Sequence, residues 1–222
     1  MKKGLVEIDW LSINKYSNEE ISYFLFLEGK NIEAICKIRN LDNAIVQKHI
    51  IDGKIKYRFL VNSNDTDELF KSIAKAGKED KIYFLNSLGE ENKSRLIELI
   101  KTNYVEMYPK DKEAAVWILG ELNEKSCLNI LIKASVNKFI NIRRMAVSAM
   151  GKIGDVGAEG ALLRALVDEN PQVVSYAIKS LGKIKSEKAI EKIKYICDNT
   201  DKKYLIDAAQ SFLLLMEQRQ IK

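Results

Sequence analysis

The pattern of apolar positions changes character along the chain. From about residue 111 onward it repeats. A shift of 31 residues brings Ala115, Ala146, Ala177 and Ala208 into one column and Leu119, Met150, Leu181 and Phe212 into another. Gly120, Gly151 and Gly182 follow, then Leu122, Ile153, Ile184 and Leu215, so these columns trace one face of one helix. Farther along each unit Cys127, Ala158 and Ala189 align, as do Leu131, Leu162 and Ile193, giving a second helix with its own apolar face. A lone helical hairpin cannot bury such a face, whereas stacked copies share a continuous core, and the alanine column lets neighbouring helices approach closely. The pattern predicts helices over 111–122 and 125–137, 141–153 and 156–167, and 171–184 and 186–198. A closing helix follows over 202–218, with Lys202, Gln210, Gln218 and Arg219 outside. Run backward, the register reaches Leu88-Gly89 and predicts a degenerate pair over 80–88 and 92–105.

The first 60 residues lie outside this register. Ser17 and Glu20 have capping-box spacing ahead of the apolar run from Ile21 to Leu27, which stops at Glu28-Gly29. Asn31 is placed to cap a helix over 32–39, Asn40 to take a left-handed turn, and a third helix runs over 43–51. Ile32, Ile35, Cys36, Leu41, Val46 and Ile50 would pack this module, which leaves Asn43, Ala44, Gln47 and Lys48 facing out. Residues 54–61 alternate basic and apolar, as either a wing strand or a linker would. Asn62-Ser-Asn-Asp65 then punctuates the chain and caps a helix starting at Thr66. The domain reading is therefore a three-helix module and linker over 1–61, then repeats over 62–222.

With only Pro109 and Pro171 to interrupt it, the chain favours helix almost throughout. Its 46% hydrophobic content over 222 residues supports a real core. The longest apolar runs are far short of the roughly 20 residues needed to span a bilayer, and the N-terminus lacks the apolar stretch of a secretion signal. Cys36, Cys127 and Cys197 are odd in number and widely spaced, which points to a reducing, cytoplasmic setting. A net charge of +5 permits an acidic partner.

Arg144-Met-Ala-Val-Ser-Ala-Met-Gly-Lys-Ile-Gly-Asp155 and Ala177-Ile-Lys-Ser-Leu-Gly-Lys-Ile resemble the core of HEAT-like repeats. Pro171 and Val173 match that family's opening in one unit, as Ile142-Arg143 and Asp155 do in the unit before. Val174 stands where the family has an arginine, so its Arg-to-Asp ladder is incomplete here. The resemblance implies an all-α fold, a right-handed α-solenoid of helical hairpins, and a binding or scaffold protein without a cofactor. Residues 32–50 resemble a helix-turn-helix of the kind found in transcriptional response regulators and helicase-associated modules. That resemblance implies duplex DNA as a partner. Asn43, Ala44 and Gln47 would lie on the recognition helix toward base edges, and Lys48, Lys54, Lys56 and Arg58 toward phosphates.

The second helices of the repeats line the inner face of such a stack. Lys133 and Arg164 stand one unit apart there, and Lys188 and Lys192 add charge to the next unit, forming a strip suited to a protein partner with acidic segments. Catalytic candidates are few. His49 is the single histidine, at a packing position, and no cysteine pair has metal-ligand spacing. Gly151-Lys-Ile-Gly154-Asp-Val-Gly157 superficially resembles a phosphate-binding loop but recurs at an inter-helix turn, where it reads as helix termination. The enzymatic alternative is a relative of the alkylpurine DNA glycosylases built from similar repeats. That family's resemblance implies an aromatic cleft with a catalytic Asp, and Trp10 and Trp117 supply no matching set.

Overall fold

The computed structural model describes residues 1–220, apart from the side chains of Arg219 and Gln220, so the outward placement read for Arg219 lies outside the described residues. The chain forms two compact units, Met1–Leu96 and Ile97–Lys222. The boundary read after residue 61 therefore falls inside the first unit.

In the first unit a short hairpin, β1 (Lys2–Lys3) and β2 (Val6–Glu7), turns at Gly4 and leads through a 3-10 helix over Trp10–Lys15 into α1 (Asn18–Leu27). Both halves of the capping box at α1 are formed: Glu20 N donates to Ser17 Oγ at 3.2 Å and Ser17 N to Glu20 Oε2 at 2.8 Å. Next come α2 (Ile32–Arg39) and α3 (Asn43–Val61), then α4 (Thr66–Lys75), α5 (Lys78–Ser87) and α6 (Glu90–Asn103), inside which the unit boundary falls.

One reading of the sequence is corrected here. The helix read over 43–51 continues without a break to Val61, so residues 54–61 are neither a wing strand nor a linker. Gly53 lies within this helix. A Cβ at that position would come within 2.2 Å of the Tyr23 ring, so glycine is there to let α1 and α3 cross closely. The apolar residues of the alternating run have separate anchors: Phe59 and Leu60 are buried, and the Phe59 ring lies 4.7 Å from that of Phe84 on α5.

The second unit carries the repeats. Its first helices are α7 (Pro109–Glu121), α9 (Ile140–Ile153), α11 (Pro171–Ile184) and α13 (Lys203–Gln220); its second helices are α8 (Leu128–Ala134), α10 (Glu159–Ala165) and α12 (Ile190–Asp198). Each first helix packs on the next, and each second helix sits against the first helix that follows it. The repeat columns are core: Ala115, Ala146 and Ala177, with Leu119, Met150 and Leu181, are fully buried, as are Leu131, Leu162 and Ile193. Leu215 departs from its column and is 41% exposed, at the seam between α11 and α13.

The turns repeat as faithfully as the helices. Asn123, Gly154 and Lys185, one period apart, are all left-handed, with φ of 54°, 66° and 56°. Each is followed by a one-turn 3-10 helix, over Lys125–Cys127, Val156–Ala158 and Glu187–Ala189. Asp155 Oδ1 accepts from Gly157 N at 2.7 Å and Glu124 Oε1 from Ser126 N at 2.9 Å. The stretch from Gly151 to Gly157 is thus a helix end followed by a capped turn.

Candidate functional site

The turn between α2 and α3 sets the site. Asn31 Oδ1 accepts from Ala34 N at 2.8 Å and starts α2. Asn40 ends it in the left-handed conformation, φ 49° and ψ 52°, which asparagine tolerates better than most residues. Ile35, Val46 and Ile50 then form a small core closed by Ile32, Cys36 and Leu41 and, from α1, Leu25 and Phe26. Packing one side of α3 this way turns Asn43, Ala44, Gln47 and Lys48 to solvent together, at the end of the helix where a recognition helix reads bases.

The basic residues farther along α3 are less free. Lys54 Nζ sits 5.0 Å from the centre of the Phe26 ring. Arg58 stands 4.9 Å over Phe59 and 3.4 Å from the Asp80 carboxylate. Lys56 points away from the exposed strip toward α1, where it donates to Glu20 Oε1 at 2.8 Å; Tyr57 OH donates to the same oxygen at 2.5 Å. Burial opposes a charge on Glu20, but the hydrogen bonds from Lys56, Tyr57 and Ser17 N outweigh it and hold the carboxyl below its ordinary 4.5. Burial, and then the Glu20 carboxylate, push the Tyr57 hydroxyl far up. Lys56 is thus a structural cation, whereas Lys48, Lys54 and Arg58 remain exposed.

Two isoleucines complete the outer strip of α3. Ile51 is 58% exposed and Ile55 54%, one turn apart beside Lys48 and Lys54. Sequence reading missed Ile55 because it ended the helix at residue 51. His49 is buried, with Nδ1 3.0 Å from Ser22 Oγ and Nε2 3.9 Å from Glu19, so it ties α3 to α1.

On the repeats, Lys133, Arg164 and Lys192 are exposed on successive second helices, while Lys188, in the 3-10 turn before α12, donates to Glu159 at 2.7 Å. Among the described residues Arg143 is the one buried arginine, and its partner is not Asp155. It grips Asp168 through Nε and Nη2 at 2.8 and 3.0 Å, reaches Glu169 at 3.0 Å, and donates to the carbonyls of Asn137 and Lys138. Among the described residues no three His, Cys, Asp or Glu converge as a metal ion would require.

A left-handed turn between a short helix and an outward-facing one, followed by close-packed helical hairpins of constant length, defines a helix-turn-helix domain joined to HEAT repeats. The family models agree: residues 18–96 match a helix-turn-helix domain and residues 137–213 match HEAT repeats. The chain is a HEAT-repeat protein with an N-terminal helix-turn-helix module. No curated protein matches it. Among solved structures, the crystal structure of an engineered protein, a Northeast Structural Genomics Consortium target, is similar over 91% of this chain and 98% of its own, with a TM-score of 0.55 and 16% identity. At that identity the likeness speaks for the fold alone.

Proposed function

We propose that the chain is a non-enzymatic adaptor that binds duplex DNA through the N-terminal half of α3 and a protein partner through its helical repeats. The observation that carries the reading is the joint exposure of Asn43, Ala44, Gln47 and Lys48 directly after the left-handed Asn40 turn. Asn and Gln side chains suit base edges, and Lys48 with Lys54 and Arg58 supplies phosphate contacts along the same strip. Ile51 and Ile55 add apolar surface of the kind that meets a thymine methyl. Lys56 is left out of the contact set, because Glu20 holds it.

The test is titration of the full chain with a random labelled duplex across a salt series. Replacing Gln47 and Lys48 by alanine is expected to weaken binding about tenfold or more and to lower the salt slope by about one phosphate contact. Lys56→Ala, as a control, should leave the slope unchanged. Absence of binding at low salt, or equal binding by the Gln47/Lys48 variant, would remove DNA from the proposal. For the repeats, HEAT-type stacking favours a protein partner, and exposed Lys133, Arg164 and Lys192 favour an acidic one.

A further inference from the structure

The outer row of the repeats, formed by the first helices, carries a groove that the repeat pattern alone does not foretell. Successive first helices meet at a glycine. A Cβ on Gly120 would come within 2.7 Å of the Ala149 Cβ, and one on Gly151 within 2.2 Å of Ser180 Oγ and 2.9 Å of Ser180 Cα, so α7, α9 and α11 are locked in close contact. At the equivalent Gly182 the nearest atom would be a Phe212 ring carbon at 3.5 Å, an ordinary contact. The α11–α13 seam is looser, and a cavity of about 520 Å³ opens along it, floored by Ile178, Gly182, Phe212 and Leu215. A second cavity of about 250 Å³ lies between α9 and α11, walled by Arg144 and Tyr176, and the two share Lys179 and Tyr204. They form one continuous groove.

Its charge is one-sided. Among the described residues neither Arg144, Lys179 nor Lys183 has a carboxylate partner, whereas Lys152 on α9 is held by Glu121. Arg144 and Lys179 flank the Tyr176 ring at 5.7 and 5.8 Å from its centre, which orients both cations along the groove. Arg144 Nε is buried without a hydrogen-bond acceptor, so it is the outer guanidinium nitrogens that can meet a ligand oxygen. Among the described residues Asp207 is the single acid on the walls.

We infer that this groove docks an acidic linear peptide, with an apolar side chain in the α11–α13 cavity and carboxylates against Lys179, Lys183 and Arg144. The inference rests on the adaptor reading above and moves its protein site from the second-helix row to the first-helix row. A peptide fits better than a nucleic acid. The floor of the larger cavity is mainly aliphatic, and the Tyr176 face that a base would stack on is already covered by Arg144 and Lys179.

The experiment is selection of a displayed random library of peptides of about twelve residues on the full chain, followed by titration of the winners. The expected winners are acidic around an apolar centre. They should lose about tenfold or more in affinity with Lys179→Glu and Lys183→Glu together, and again with Gly182→Leu, which fills the cavity without touching charge. A Lys133→Glu, Arg164→Glu pair on the second helices is expected to bind them unchanged. Circular dichroism checks that each variant is folded. Winners that depend on Lys133 and Arg164 instead overturn this groove but leave the adaptor reading standing; a library with no winner overturns both. If the groove variants weaken only the binding of a thymidine oligonucleotide, the groove is a nucleic-acid site and the peptide is wrong.

Discussion

Arg143 shows how one buried cation can organise a repeat. Its side chain is 9% exposed and that of Asp168 10%, and the two share a bidentate contact that joins the first turn of α9 to the loop before α11. Removing one partner of such a pair leaves the other buried and unpaired. Arg143→Ala is therefore expected to cost about 3 kcal/mol, read from urea unfolding, whereas removing both partners together as Arg143→Met, Asp168→Asn should cost much less. That an arginine would stand here was legible in the Ile142-Arg143 pair. That it would bond Asp168 was not, because Asp155 is the nearer acid in the family pattern and is spent instead on capping Gly157 N. Spacing names candidate partners, but the competing backbone donor decides between them. The left-handed turns belong to the same scale. Gly154→Ala forces a Cβ into φ 66° and is expected to cost about 1 kcal/mol in the same assay, while Asn123→Gly is neutral or stabilising.

Between elements, the glycine column makes one prediction with two signs. Gly151→Ala drives a methyl into the Ser180 backbone and should destabilise by about 1–3 kcal/mol; Gly182→Ala makes only an ordinary contact with the Phe212 ring and should gain up to about 1 kcal/mol from helix propensity. The Leu215 side chain, 3.7 Å from the added methyl, is likewise in ordinary contact, and thermal denaturation of the two variants side by side separates them. In the N-terminal unit, α1 and α3 are joined through Glu20, whose carboxyl is held below 4.5 when folded. Stability from a depressed carboxyl is fully present above its unfolded value and is lost as pH falls through the lower folded value. Acid titration of the unfolding midpoint should thus show a loss beginning below about 4.5, and Glu20→Gln should both lower the midpoint at neutral pH and shrink that loss. The full length of α3 was hidden for a related reason. Lys54 to Val61 alternates like a strand, yet the helix continues through Gly53, where Tyr23 lies across it.

For the whole molecule, the repeat half was legible almost residue for residue, since a period of constant length leaves little freedom in where helices begin and end. The first unit was not. Residues 62–79 carry no period and 80–88 only a degenerate one, and their place beside α3 is set by contacts that no spacing encodes, such as Phe59 on Phe84 and Arg58 near Asp80. The candidate DNA surface was legible at Asn43, Ala44, Gln47 and Lys48, because capping and turn chemistry fix which way the first turns of α3 face. The outer groove was not, because it comes from a seam that is looser than its two equivalents.

The three left-handed residues Asn123, Gly154 and Lys185 share one backbone conformation, so the chain turns from first helix to second helix by the same joint in every unit. Joints of one shape make the unit a module that can be cut and spliced. A second copy of residues 124–154 spliced in after Gly154 keeps every joint intact and is expected to yield a longer chain that still unfolds cooperatively, whereas half a unit at the same place would end in the wrong joint and should not. By this logic the protein's length grows in whole units only.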